Sequence, residues 1–156
     1  MSVVKNLPFR VYKYITDPKF KKCFAKKQRI DRSYDIPYVA GYSKNDDVIY
    51  IDRHFKKMLK NKNIEKYVIL HEKTEKALMD AFDMHYQKAH DIATVYERYI
   101  LEIDGLDWKS YNKFVMDQYK TIEHEDLKNI PKNLDLTPYK DEKDFEILKR
   151  IHIAAS

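Results

Sequence analysis

The sequence predicts an α+β fold, with a small N-terminal β-hairpin or antiparallel sheet packed on a mainly helical body. Three observations predict it. Two short runs rich in β-branched and aromatic residues, 38–42 and 48–52, flank a polar five-residue cluster. From residue 64 onward, apolar residues recur at helical spacing through successive segments. A proline-punctuated stretch at 129–139 then precedes one last helical pattern.

The first 35 residues carry mixed signals. Val3–Tyr14 holds β-branched and aromatic residues but is interrupted by Pro8, and Pro18 to Lys27 reads as a short basic helix. Tyr38–Tyr42 and Val48–Asp52, joined by Ser43–Asp47, form a hairpin signature. Phe55–Leu59 reads as a short helical or turn segment, broken by Asn61-Lys62-Asn63. Ile64 to about Phe82 is a helix, with Ile64, Tyr67, Val68, His71, Glu75, Leu78 and Phe82 on one face and Asn63 as its N-cap. A second helix runs from about Tyr86 to Ile103, and Gly105 stands at its C-cap. A third starts near Asp107, which caps it, with Trp108 read as a core residue. The last helix runs from about Glu142 to Ile151.

Composition bounds the function. A chain of 156 residues is one domain of ordinary size, with a basic β-containing part (1–60) and a helical part (61–156). With 44% apolar and 35% charged residues it is expected to fold rather than stay disordered. No apolar run approaches the roughly 18 residues of a membrane span and no signal peptide opens the chain, so a cytoplasmic, membrane-free protein is expected. Cys23 is the only cysteine, which excludes an internal disulfide and a cysteine-based zinc finger. Two glycines leave no room for a glycine-rich phosphate loop. Abundant Lys, Ile, Asn and Tyr point to an AT-rich genome, as in some bacteria and many phages; for a phage protein the location is the host cytoplasm.

Charge is uneven. Residues 1–66 hold 17 Lys/Arg against 7 Asp/Glu, and residues 67–156 hold 13 against 18. Lys19, Lys21, Lys22, Lys26, Lys27, Arg29 and Arg32 interleave with Phe20 and Phe24, a pattern that can contact nucleic-acid phosphates and bases through residues 19–32. The plainer reading is a solvated face.

The stretch that carries chemistry is Val68-Ile69-Leu70-His71-Glu72-Lys73-Thr74-Glu75. His71 and Glu75 are four apart, which puts an imidazole and a carboxylate on one helix face, close enough to bind one ion. Zinc accepts such ligands, and so do iron and manganese. Glu72 is next around the helix, where a carboxylate can take a proton from a metal-activated water. His90 and Glu97, seven apart on the second helix, share a face, and Ala89 and Ala93 beside them let the helices approach. An antiparallel helix pair then assembles His71, Glu75 and His90 as metal ligands, with Glu97 or Asp52 as a further ligand or a partner behind one. A buried polar cluster is the non-catalytic alternative. His85, His54 and His124 read as peripheral, Arg53 as a partner for Glu72 or Glu75, and Tyr86 or Tyr96 as an oxyanion donor.

This stretch resembles the H-E-x-x-H motif of zincin-type metallopeptidases, with Glu75 where that motif has its second histidine. The resemblance covers residues 38–104. It implies a sheet edge strand before the motif helix, a third ligand from the next helix, a zinc cofactor, Glu72 as general base, and cleavage of a peptide or amide bond in a peptide or protein substrate. The distance to Glu97 also matches the place of the glutamate ligand in the gluzincin branch. Two other functions stay open: a non-catalytic protein that binds nucleic acid or an acidic partner through its basic half, and an iron or manganese enzyme that is not a peptidase.

Overall fold

The computed structural model describes residues 7–155, and residues 3–6 of the 3–14 stretch lie outside it. Among the described residues, seven helices and five short strands follow in the order α1 (Phe9–Ile15), α2 (Pro18–Phe24), β1 (Arg29–Asp31), β2 (Ala40–Tyr42), β3 (Val48–Ile51), β4 (Met58–Leu59), β5 (Lys62–Asn63), α3 (Glu65–Phe82), α4 (Tyr86–Ile103), α5 (Trp108–Glu123), α6 (Thr137–Asp141) and α7 (Phe145–Ala155). The fold is α+β with a mainly helical body. No helix among the described residues is long and apolar enough to cross a membrane.

The predicted hairpin is β2–β3, antiparallel, with Ala40 opposite Ile51 and Tyr42 opposite Ile49. Asp47, at φ 53°, closes its five-residue turn. The first strand is shorter than expected, because Tyr38 and Val39 adopt φ 61° and 74°, a left-handed conformation that β-branched residues rarely take. The sheet is mixed rather than purely antiparallel: β1 adds to β3 in parallel, with Ile30 opposite Ile49. A three-residue strand holding one apolar residue leaves no periodic signal.

The N-terminal part is more helical than its residues suggested. Pro8 precedes α1 instead of interrupting a strand, and Pro18 occupies the first turn of α2, where its missing N–H costs nothing. Of the segment read as helix or turn at 55–59, Met58 and Leu59 form β4, one strand of a two-stranded ribbon, and residues 55–57 are irregular. Lys60 and Asn61, at φ 48° and 67°, form the tight turn between β4 and β5. The next helix starts one residue later than expected, with Ile64 and not Asn63 as its N-cap, although Asn63 Oδ1 accepts the Glu65 N–H at 3.0 Å.

The helix pair α3–α4 is the spine. His71 meets Glu97, Glu75 meets His90 and Tyr67 meets Asp104, so the two helices run antiparallel. Asp83, at φ 50°, ends α3 and begins a three-residue connection. Ala89 and Ala93 are fully buried and bring the axes together. Gly105 takes φ 81° just past α4, as its position suggested. Helices α1 and α2 cover one side, burying Val11 and Phe20 against Leu78 and Ile92. The sheet packs on α3 through Tyr42, Ile49 and Val68. The 129–136 connection passes beside β2, where Leu134 bridges Ser43. The last helix starts three residues later than expected, since Lys143 at φ 55° breaks the chain and Asp144 caps α7 through the Ile147 N–H.

Candidate metal centre

One face of α3, one face of α4, the start of β2, one face of α5 and α6 line a cavity of ≈ 450 Å³. His71, Glu72 and Glu75 reach it from α3, and His90, Thr94 and Glu97 from α4. The helical repeat explains this placement: positions 71 and 75 are one turn apart, and 90 and 97 are two turns apart.

Three donor atoms converge. His71 Nε2 lies 3.0 Å from Glu75 Oε2 and 3.2 Å from His90 Nδ1, and His90 Nδ1 lies 3.0 Å from the same Glu75 oxygen. Glu75 is buried, His71 nearly so, and His90 half-exposed at the cavity mouth. Glu97 sits on the other side of the ring, with Oε1 2.9 Å from His71 Nδ1. Its second oxygen accepts a hydrogen bond from the Tyr111 hydroxyl. The second oxygen of Glu75 accepts one from Tyr42 at 2.7 Å. Each carboxylate is therefore held by a tyrosine from another element, and Glu97 orients His71 so that Nε2 faces Glu75 and His90.

Charge in the cluster is tightly coupled. Burial pulls the His71 imidazole toward its neutral form, but bonds to Glu75 and Glu97 overcome this and hold its pKa well above the ordinary value. Glu75 is pushed up by burial and, more strongly, down by His71 and His90, so it stays ionised. Glu72 behaves differently. It is 93% buried, lines the cavity, and makes no hydrogen bond within the described residues. Burial, and then the negative charge of Glu75 and Glu97, push its pKa up to about 8.

The remaining predicted residues fall as follows. Asp52 stands apart from the cavity, its oxygens accepting the Ile36 and His54 N–H groups at 2.8 and 3.0 Å. Arg53 does not reach Glu72 or Glu75; its Nε donates to Asp35 at 2.6 Å. His85 caps α4 by accepting the Gln87 N–H, and His124 is exposed at the end of α5. Tyr86 lines the cavity with its hydroxyl 3.4 Å from His90 Nδ1, whereas Tyr96 packs in the cluster under α1 and α2. In the basic segment, Phe20 is buried and Phe24 stacks on it at 5.3 Å, so neither ring is free to stack on a base. Arg29 pairs Asp31 and Arg32 pairs Glu65, while Lys19, Lys21, Lys22, Lys26 and Lys27 are exposed.

Sequence reasoning missed Tyr42, Tyr111, Tyr38, Tyr139 and Glu142, which line or brace the cavity; Trp108, read as core, packs against the Ile64, Tyr67, Leu101 and Tyr111 cluster and also lines the wall. Among thirteen tyrosines no local signal separates these from the packing tyrosines. No protein-family model matches the chain, and neither a curated protein nor a solved structure is found to be similar to it.

Proposed function

We propose that the protein is a zincin-like metal-dependent hydrolase that cleaves a peptide or amide bond, with His71, Glu75 and His90 as metal ligands and Glu72 as general base. The observation that carries this reading is the donor triangle. Its edges of 3.0, 3.0 and 3.2 Å approach the ~3.3 Å separation of ligands around a tetrahedral zinc with bonds of about 2.0 Å. Two histidines and one glutamate are a donor set that zinc hydrolases use, leaving a fourth position for water. Glu97 supports the assignment, because a ligating histidine commonly gives its other N–H to a carboxylate.

A divalent ion held by His71, Glu75 and His90 would supply Lewis acidity to the scissile carbonyl and lower the pKa of a water toward neutrality. Glu72 would accept the proton of the water that attacks the carbonyl carbon and return it to the leaving nitrogen as the C–N bond breaks. Its lack of a hydrogen-bond partner leaves both oxygens available. Tyr86, beside His90, donates its hydroxyl to the developing oxyanion.

The same two-histidine, one-carboxylate set also suits iron or manganese in an enzyme that is not a peptidase. Elemental analysis of the untagged protein, with a His71→Ala/Glu75→Ala control, separates the readings. Stoichiometric zinc, absent from the control, is expected, together with hydrolysis of a peptide library that falls about 10²–10⁴-fold in Glu72→Gln with the metal retained. Iron or manganese redirects the assignment. No metal, with thermal stability indifferent to added zinc, overturns it.

A further inference from the structure

The residues that enclose the cavity include Glu72, Glu75, Glu97 and Glu142, and no lysine or arginine, in a chain that carries 30 of those cations and a net charge of +5. Six aromatic rings line the rest of the wall, Tyr86, Trp108 and Tyr119 among them. Arg98, which covers Trp108 at 5.8 Å, is bound to Glu102 and is not a lining residue. Glu142 is exposed at the rim, and its charge is felt by Tyr86 and Tyr119 across the opening.

We infer that the cavity selects a peptide substrate carrying a basic side chain, an ammonium or a guanidinium, next to the scissile bond. This inference rests on the hydrolase reading for its substrate, but its physical basis is the wall and not the metal. Glu75, Glu97 and Glu142 stand in a wall that holds no lysine or arginine, so an anionic group entering meets repulsion in a low-dielectric space. A cationic group meets the reverse, and aromatic faces attract it further while stripping little of its water at the half-open mouth. Glu72 is the second observation that points to a ligand: a carboxylate 93% buried, facing the cavity, with no hydrogen-bond partner among the described residues. The aliphatic stem of a lysine or arginine would lie along the tyrosine rings, with its head toward Glu142 and the rim.

Trp108 is the only tryptophan and it lines the cavity, so its fluorescence reports occupancy. The probes are blocked alanine pentapeptides with a central lysine, arginine, norleucine or glutamate, titrated into the protein with chelator and again with saturating zinc. The lysine and arginine peptides are expected to bind about tenfold more tightly than the norleucine peptide, and the glutamate peptide more weakly than all. In Glu142→Lys, with Glu142→Gln as the milder change, the lysine-over-norleucine ratio should fall about threefold. Equal binding of lysine and norleucine peptides, a preference for glutamate, an unchanged ratio in Glu142→Lys, or no binding by any probe overturns the inference. A lysine preference with no zinc uptake would sink the metal assignment and leave this one standing; zinc uptake without the preference would do the opposite.

Discussion

Replacing Glu72 by glutamine should raise the stability of the protein when it is kept metal-free by a chelator. The carboxyl titrates at about 8 in the folded chain against an ordinary value of 4.5. Below pH 4.5 both the folded and the unfolded states carry the proton and nothing differs. Between pH 4.5 and 8 the unfolded chain has released the proton and the folded one retains it. Stability therefore falls as pH rises through this window, by about 1.4 kcal/mol per pH unit. The penalty is present at pH 7 and levels off above about pH 8. Glutamine has nearly the same shape and no proton to release, so it escapes the penalty. Urea unfolding of both proteins at pH 5, 7 and 8.5 measures it. The stability gap should be under about 1 kcal/mol at pH 5 and widen to about 1–3 kcal/mol at pH 8.5, allowing for relaxation of Glu75 and Glu97. Saturating zinc should narrow the gap, because a nearby divalent charge favours the carboxylate. A variant less stable than its parent, or a gap that ignores pH, would refute the argument that Glu72 is held in the cavity at an energetic cost. Such a cost is expected of a functional group and not of a structural one.

Two further predictions follow from the bracing groups. Tyr111→Phe removes the hydroxyl that holds Glu97 behind His71, and zinc affinity measured by competition with a chromogenic chelator should drop about 10–100-fold with the fold intact; unchanged affinity would mean that Glu97 does not position the ligand. Asp35→Ala takes a buried acceptor from the Lys128 and Asn129 N–H groups, at 3.0 and 2.9 Å, and from Arg53. Thermal unfolding should show a loss of about 2–4 kcal/mol, and since burial, which raises the Asp35 pKa, is outweighed by these donors, which lower it, the parent should lose this contribution only as pH falls below the ordinary carboxylate range.

The legible parts of the fold are those whose signal is local. The α3 and α4 boundaries follow from periodic apolar residues and from Asn63 and Gly105 at the ends, and the β2–β3 hairpin from alternating β-branched runs about a polar turn. The illegible parts depend on distant partners. β1 is a strand because β3 lies beside it, and β4–β5 forms because Lys60 and Asn61 accept positive φ, which ordinary turn residues do not advertise. Phe20 and Phe24 looked like stacking platforms in a basic run, yet helix α2 turns Phe20 inward against α3 and α4, where burying an aromatic ring outweighs leaving it for a partner.

The sequence by itself determined which polar groups share a helix face: His71 with Glu75, and His90 with Glu97, because helical geometry ties position to direction within a few residues. Only the tertiary structure decided how the two faces meet. The rotation of α4 against α3 sends Glu97 to Nδ1 of His71 and His90 to the Nε2 side, so one carboxylate orients the histidine while the other completes the donor triangle. It also decided that Tyr42 and Tyr111, from a strand and a third helix, grip the two carboxylates, and that Glu72 faces a cavity with no hydrogen-bond partner among the described residues. The physical reason is range. A helical repeat acts over one or two turns of a single chain segment, whereas the choice of ring nitrogen and of bracing hydroxyl depends on packing between segments 14 to 33 residues apart.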